Sequence, residues 1–205
     1  MSEASRATMV DVLYPLHGQA LPRDHRAALA AALERLVPWL AEPSQAGTHR
    51  VNAVAGTGPT ALLSQRSRLA LRVRRERVPE LAPLAGATLD VGGFLLRLGE
   101  EALVRELLPH GTLYAHLVAS ADDDELGFLA AAERELEAMG VPCRTICGRR
   151  QVIDVDGTPL TGFSLMLDGL TPAASLRVLE SGLGRHRRLG CGIFVPHKSG
   201  AAVRA

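Results

Sequence analysis

The stretch Gly182-Leu-Gly-Arg-His-Arg-Arg-Leu-Gly-Cys-Gly-Ile-Phe-Val-Pro196 sets how the rest of the chain is read. Four glycines, Gly182, Gly184, Gly190 and Gly192, frame Arg185, His186, Arg187 and Arg188. Glycine allows positive φ and close approach of a second backbone. Arginine presents a planar fork of donors matched to phosphate. A tight loop with both properties suits a polyanion, although a Gly-rich turn carrying ordinary solvated charge has the same composition. Ile193, Phe194 and Val195 read as a short buried strand that anchors the loop.

Working outward, the chain supplies a scaffold for such a loop. Its 205 residues are 47% hydrophobic, enough for a real core, and only 3% aromatic, so that core is aliphatic. The net charge of +1 implies no polyanionic partner by itself, but the charges are segregated. Cations gather from Gln65 to Pro79 and after Thr171; acids gather at Asp122–Asp124 and Glu133–Glu137. Three cysteines, Cys143, Cys147 and Cys191, fit no zinc spacing and read as reduced thiols. With no signal segment and no apolar run of membrane-spanning length, the expectation is a cytoplasmic protein with no membrane partner.

The pattern of elements repeats. In the first half, Met9–Leu16 reads as a strand and Pro22 as the opening of a helix to about Leu40, with Leu29, Ala32, Leu33, Leu36 and Leu40 as its apolar stripe and Pro38 placed to kink it or end it early. Thr48–Val54 is extended. Arg68–Arg75 alternates, with Leu69, Leu71 and Val73 inward and Arg68, Arg72 and Arg74 on a cationic outer face. A short helix near Val78–Leu84 precedes two strands about the Gly92-Gly93 turn. In the second half, Thr112–Ser120 is a strand and Asp122–Asp124 cap a helix to Met139, with Leu126, Leu129, Leu136 and Met139 inward. Gln151–Val155 and Leu160–Leu167 flank the Asp156-Gly157 turn, Thr171-Pro172 opens a last helix, and Cys191–Val195 is the last strand. The expected fold is α+β: two tandem ferredoxin-like (RRM-like) βαββαβ units, over residues 1–101 and 112–205, with the Gly-rich loop in the second.

This arrangement resembles the RAMP superfamily and, within it, the CRISPR precursor-RNA processing endoribonucleases, close to the Myxan subtype. The residues that carry the resemblance are Val10–Gly18, Leu21-Pro-Arg-Asp-His25, Gly47-Thr-His49, Gly162-Phe163 and the Gly182–Pro196 block. The resemblance implies a metal-independent, cofactor-free cut within CRISPR repeat RNA. The 2′-hydroxyl attacks its adjacent phosphate and leaves a 2′,3′-cyclic phosphate and a 5′-hydroxyl. The implied partners are the precursor RNA with its repeat hairpin and other subunits of a CRISPR effector complex.

Such chemistry needs a base, an acid and cations at the phosphate. Histidine titrates in the right range. His25, placed in the first helical turn, and His49, in a loop beside Arg50, are equal candidates, and Arg50 is the accompanying cation. His25 also shares the helix's apolar stripe, so a core-edge histidine has the same signature. His17 and Tyr14 stand behind them. For RNA contact the first choices are Arg185, His186, Arg187 and Arg188, then Arg149, Arg150 and Arg177, then the Arg68/Arg72/Arg74 face. No aromatic pair is evident on a central strand, so binding is expected to rest on phosphates and hairpin shape. A non-catalytic RAMP subunit that holds CRISPR RNA needs the loop but neither His25 nor His49. A two-histidine phosphoesterase would use His110-Gly-Thr112 and His197-Lys-Ser199, but the centres of those motifs are not apolar. A ferredoxin-like metabolic regulator leaves the basic loop without a purpose.

Overall fold

The first strand of each half, apolar and β-branched, becomes the interior strand of a sheet. The computed structural model describes residues 7–43, 46–56, 58–155 and 157–197. The chain divides into two units. The first comprises Met1–Glu106 with Asp154–Gly157 and Arg188–Gly190; the second comprises Leu107–Ile153, Thr158–Arg187 and Cys191–Ala205.

In the first unit the elements are β1 (Met9–His17), β2 (Ala20–Pro22), α1 (Arg26–Leu36), β3 (Ala46–Thr48), β4 (Val54–Ala55), β5 (Thr60–Leu62), β6 (Arg68–Arg74), β7 (Thr88–Val91), β8 (Phe94–Leu98) and β9 (Leu103–Glu106). Strand β1 pairs antiparallel with β6 on one side. On its other side it pairs with β9 through Val10–Leu13 and with β8 through Leu16 and His17. Strand β3 extends the sheet beyond β6. The order β3-β6-β1-β9 is that of a ferredoxin-like sheet, whose second helix is here a 3-10 segment, Arg75–Leu84, containing Pro79 and Pro83. The β7–β8 hairpin is inserted before the closing strand. A separate small sheet joins β2, β5 and β4.

Three features of this unit differ from the sequence reading. Pro22 lies in β2, where Leu21 pairs with Ala61, and the helix starts at Arg26 with His25 as its N-cap. The helix stops at Leu36 because Pro38 has no N–H to continue it, and Pro38–Ala41 forms a 3-10 turn. The closing strand is β9, so the unit runs through Glu106 rather than ending at residue 101; Leu103 and Val104 are exposed on it, which leaves no buried alternation to see.

The second unit repeats the plan with β10 (Thr112–Ala119), α2 (Glu125–Ala138), β11 (Arg144–Val155), β12 (Thr158–Asp168), α3 (Pro172–Ser181) and β13 (Val195–Pro196). Its sheet order is β11-β12-β10-β13. Asp124 caps α2 by accepting from the Gly127 N–H, and Thr171 caps α3 by accepting from the Ala174 N–H. The face of α2 that is buried is Phe128, Ala132 and Leu136, with Phe128 stacked on Phe163 at 4.8 Å; Leu126, expected inward, is exposed. The Asp156-Gly157 turn is described only at Gly157. Of the expected last strand, Cys191–Val195, only Val195 pairs with β10, joined by Pro196 beyond it, because the chain before them is taken up by the Gly-rich loop.

Candidate active site

The first unit holds a covered polar cluster on the face of β1 away from its apolar core. Asp11, on that strand, lies directly opposite Arg72 of β6. The Arg72 guanidinium donates Nε–H to Asp11 Oδ1 at 2.8 Å and an Nη2–H to Oδ2 at 3.0 Å. Arg72 stands on the face of β6 that alternation gave it, with Arg68 and Arg74, but it is covered there, 1% exposed, and only Arg68 and Arg74 are open to solvent. A bidentate carboxylate partner directly across the ladder is what makes that burial tolerable. His49, which follows β3, places Nε2 at 3.0 Å from Asp11 Oδ1. A carboxylate can only accept, so Nε2 carries the proton of the neutral ring and Nδ1 is left as an acceptor. Burial pushes the Asp11 carboxyl up, but the hydrogen bonds from His49 and Arg72 outweigh it and hold the group well below the usual carboxylate range. Burial pushes the His49 imidazole down, against the pull of Asp11.

His25 is 4% exposed and caps α1 through its backbone, with no side-chain capping bond. Its Nδ1 lies 3.1 Å from the Pro22 carbonyl oxygen. That oxygen accepts only, so Nδ1 holds the proton and Nε2 is the basic nitrogen. Among the described residues Nε2 has no hydrogen-bond partner, and the atom itself is closed off from solvent. Burial pushes this imidazole below its ordinary value; the Pro22 carbonyl pulls it up, and the charges of Arg26 and Arg50 add to the lowering. The positive end of α1 acts in the same direction.

His25, His49 and Arg50 line one narrow crevice together with Arg188 and Leu189. His25 and exposed Arg50 also line an adjoining groove of about 230 Å³ with Arg23, Val51, Ala53 and Ala61. Arg23 was not singled out by sequence. It is exposed and donates to the Gly56 carbonyl at 3.0 Å, and its position two residues before His25 was the available signal. Tyr14 lies in the core with its hydroxyl on the Leu81 carbonyl, and His17 lies on a different surface groove beside Arg97 and Glu100.

The Gly-rich loop divides between the units. Arg188–Gly190 belongs to the first, where Arg188 pairs with Glu34 at 3.0 Å and Arg26 donates to the Leu189 carbonyl at 2.7 Å. Gly190 has φ 76, and a Cβ there would come within 2.8 Å of the Thr48 carbonyl oxygen, beside His49. In the second unit Gly192 has φ 66, and a Cβ would sit 1.8 Å from the Leu183 carbonyl oxygen. The loop thus needs glycine to close on itself. Arg185 and His186 are exposed, and His186 holds φ 65. Arg187 is turned inward: it is buried and donates to the carbonyls of Ser181 and Glu180 at the end of α3. Glu135 accepts from the Gly184 N–H at 3.0 Å.

The second-choice cations are also engaged. Arg150 pairs with Asp123, and Arg177 donates to the carbonyls of Met139 and Gly140 behind α2. The Arg149 side chain is exposed while its N–H is held by Ser164. Of the phosphoesterase motifs, His110 turns Nδ1 to the Thr112 carbonyl and Thr112 is buried against Asp168; Lys198 and Ser199 lie outside the described residues.

Two tandem ferredoxin-like units with a Gly-rich loop before the final strand are the arrangement that the sequence resemblance implied. The comparisons with known proteins narrow this. The Cas6 family model, described as "Cas6 Crispr", matches residues 10–199. A CRISPR-associated endonuclease Cas6 from Myxococcus xanthus (strain DK1622) is 40% identical over 197 residues, covering 96% of this chain and 85% of the relative. Among solved structures, a CRISPR associated protein Cas6 superposes with a TM-score of 0.65 at 10% identity, covering 93% of this chain and all of that one. "An RAMP protein binding different RNA substrates" superposes at 0.63 with 12% identity, covering 90% and 98%. The chain belongs to the Cas6 family of CRISPR-associated endonucleases. No helix among the described residues is long and apolar enough to cross a membrane.

Proposed function

We propose that the chain cuts CRISPR repeat RNA without a metal ion, by attack of a 2′-hydroxyl on its own adjacent phosphate. The observation that carries this is the 3.1 Å contact of His25 Nδ1 with the Pro22 carbonyl: with the proton held there, Nε2 is the basic nitrogen of a ring whose affinity for a second proton is lowered by burial and neighbouring charge, and the ring lines a groove that also presents Arg23 and Arg50. RNA seated in the groove must displace the cover over the buried Nε2, which then takes the proton of the 2′-hydroxyl as the 2′-oxygen bonds to phosphorus. The guanidinium groups of Arg50 and Arg23 stabilise the charge that grows on the non-bridging oxygens. The bond from phosphorus to the 5′-oxygen breaks, and that oxygen takes a proton from water in the open groove. The products are a 2′,3′-cyclic phosphate and a 5′-hydroxyl. His49 is neutral at neutral pH with its one N–H committed to Asp11, so it shapes the crevice wall rather than supplying that proton.

The test incubates the protein with repeat RNA in EDTA. Cutting that persists there, and that a single 2′-deoxy substitution at the cut abolishes, supports the reading. A requirement for metal, or binding of every repeat offered with no cutting, overturns it.

A further inference from the structure

The central strand of the second unit carries a group of rings that the reaction does not use. Leu113, Ala115 and Leu117 of β10 are fully buried on its inner face. Tyr114 and His116 alternate with them, their ring centroids 5.0 Å apart at 80°, edge to face. His197, just past β13, brings its ring to 5.5 Å from Tyr114 on the same cluster. Tyr114 is half-buried; His116 and His197 are exposed. The register between β10 and β12 shifts between Ala115 and Val118, so His116 stands at a bulge, a device that re-aims a side chain. Gln151 of β11 donates to the His116 carbonyl and fixes the backbone there. Sequence pattern alone did not single out this pair, because a lone tyrosine and a histidine two residues on do not look like an aromatic motif.

We propose that Tyr114, His116 and His197 form a stacking platform for unpaired bases of single-stranded RNA. Half-buried Tyr114 is the floor, packed against both imidazoles, and His116 and His197 are exposed to solvent beside it. Planar rings on the central strand of a ferredoxin-like sheet are a general means of holding splayed bases, because every base has a π-face and stacking asks little of sequence. The edge-to-face packing fixes the ring orientations before the ligand arrives, which lowers the cost of ordering them on binding. The inference deepens the proposed function, and rests on it for the identity of the natural ligand: the bases would come from the unpaired part of the repeat RNA, whereas phosphate contact and cutting belong to other residues.

The experiment uses the full chain and two probes. The first is a short single-stranded RNA with 2-aminopurine in place of one base and no hairpin. Wild-type protein is expected to quench it saturably, and His116→Ala combined with His197→Ala to weaken that binding about tenfold, with an unchanged thermal melt. Tyr114→Leu, which keeps the floor apolar, is expected to weaken it as well. The second probe is repeat RNA with abasic sites in the unpaired flank. Removing the base and removing the histidines should each weaken binding, and together cost no more than either alone. Unchanged quenching in the double variant, or fully additive losses, overturns the platform. Normal cutting of repeat RNA without quenching leaves the nuclease and removes the platform; quenching without cutting does the reverse.

Discussion

Each unit places its first strand inside the sheet, and each interrupts that apolar strand with polar side chains, to opposite ends. On β1 the intruder is Asp11, on the face of the strand away from the apolar core, where Arg72 and His49 close over it. On β10 the intruders are Tyr114 and His116, which turn outward and stay reachable. The same topology therefore yields a covered polar cluster in one unit and an exposed ring surface in the other. The difference teaches that the fold sets where a side chain stands, while its partner across the ladder decides whether it is structure or site. Arginine opposite Asp11 makes a closed ion pair; Met166 opposite Tyr114 brings no charge, and the ring packs instead against His116 and His197.

The comparison breaks first at His25. If the first unit carries the chemistry, His25→Ala lowers the cleavage rate by about 10²–10⁴-fold with little change in RNA affinity, measured in single-turnover assays. The same base gives a pH dependence. Its ordinary value is 6.5 and the fold lowers it, so the acid limb of the rate lies below pH 6.5. His49 is lowered as well. Below pH 6.5 the unfolded chain then binds protons that the native rings refuse, so stability at neutral pH is lost progressively as pH falls toward the native values. A rate limb above pH 6.5, or a melting temperature that rises on mild acidification, contradicts the assignment.

Next in size is Arg72→Ala. Removing it leaves the Asp11 carboxylate buried without its bidentate partner, which costs about 3–5 kcal/mol of stability. Chemical denaturation measures this directly. A loss under about 1 kcal/mol would mean that water reaches Asp11, and the covered polar cluster of the first unit would have to be abandoned. Arg187→Ala follows, at about 1–3 kcal/mol, because the carbonyls of Ser181 and Glu180 lose their donor. Here the expectation is a stability effect with little change in RNA affinity. A large affinity loss at full stability would return Arg187 to the phosphate contacts its sequence position suggested.

These residues show what sequence could carry. The repeat of strand, helix, two strands, helix and strand is legible because periodicity and caps are local: Asp124 and Thr171 act where the sequence places them. Strand β9 was hidden because both faces of Leu103-Val104 are open, so no alternation marks it. Arg72 looked solvated because alternation reports a face and cannot report the carboxylate waiting on it from 61 residues away. The Gly frame was readable as a loop that needs positive φ, yet the direction of each arginine inside it was not. Arg187 turns back to α3 because the uncapped carbonyls there need donors, a long-range demand that composition does not encode. His25 was legible as a candidate; the tautomer that makes it a base depends on where the Pro22 carbonyl points.

The smallest expected effect separates the cations of the loop. Arg185 is exposed, whereas Arg188 pairs with Glu34 on the first unit. A phosphate must therefore compete with Glu34 for Arg188, while it meets Arg185 with only water to displace. Arg185→Ala should reduce the slope of log affinity against log salt by about 1, and Arg188→Ala by less. Its ion pair is partly exposed, so losing it costs at most about 1 kcal/mol in stability. Glu34→Gln should then strengthen RNA binding, because it releases Arg188 without moving the loop. If Arg188→Ala flattens the salt slope as much as Arg185→Ala while Glu34→Gln changes nothing, the pair opens without cost on binding, and Glu34 is a bystander rather than a competitor for the phosphate.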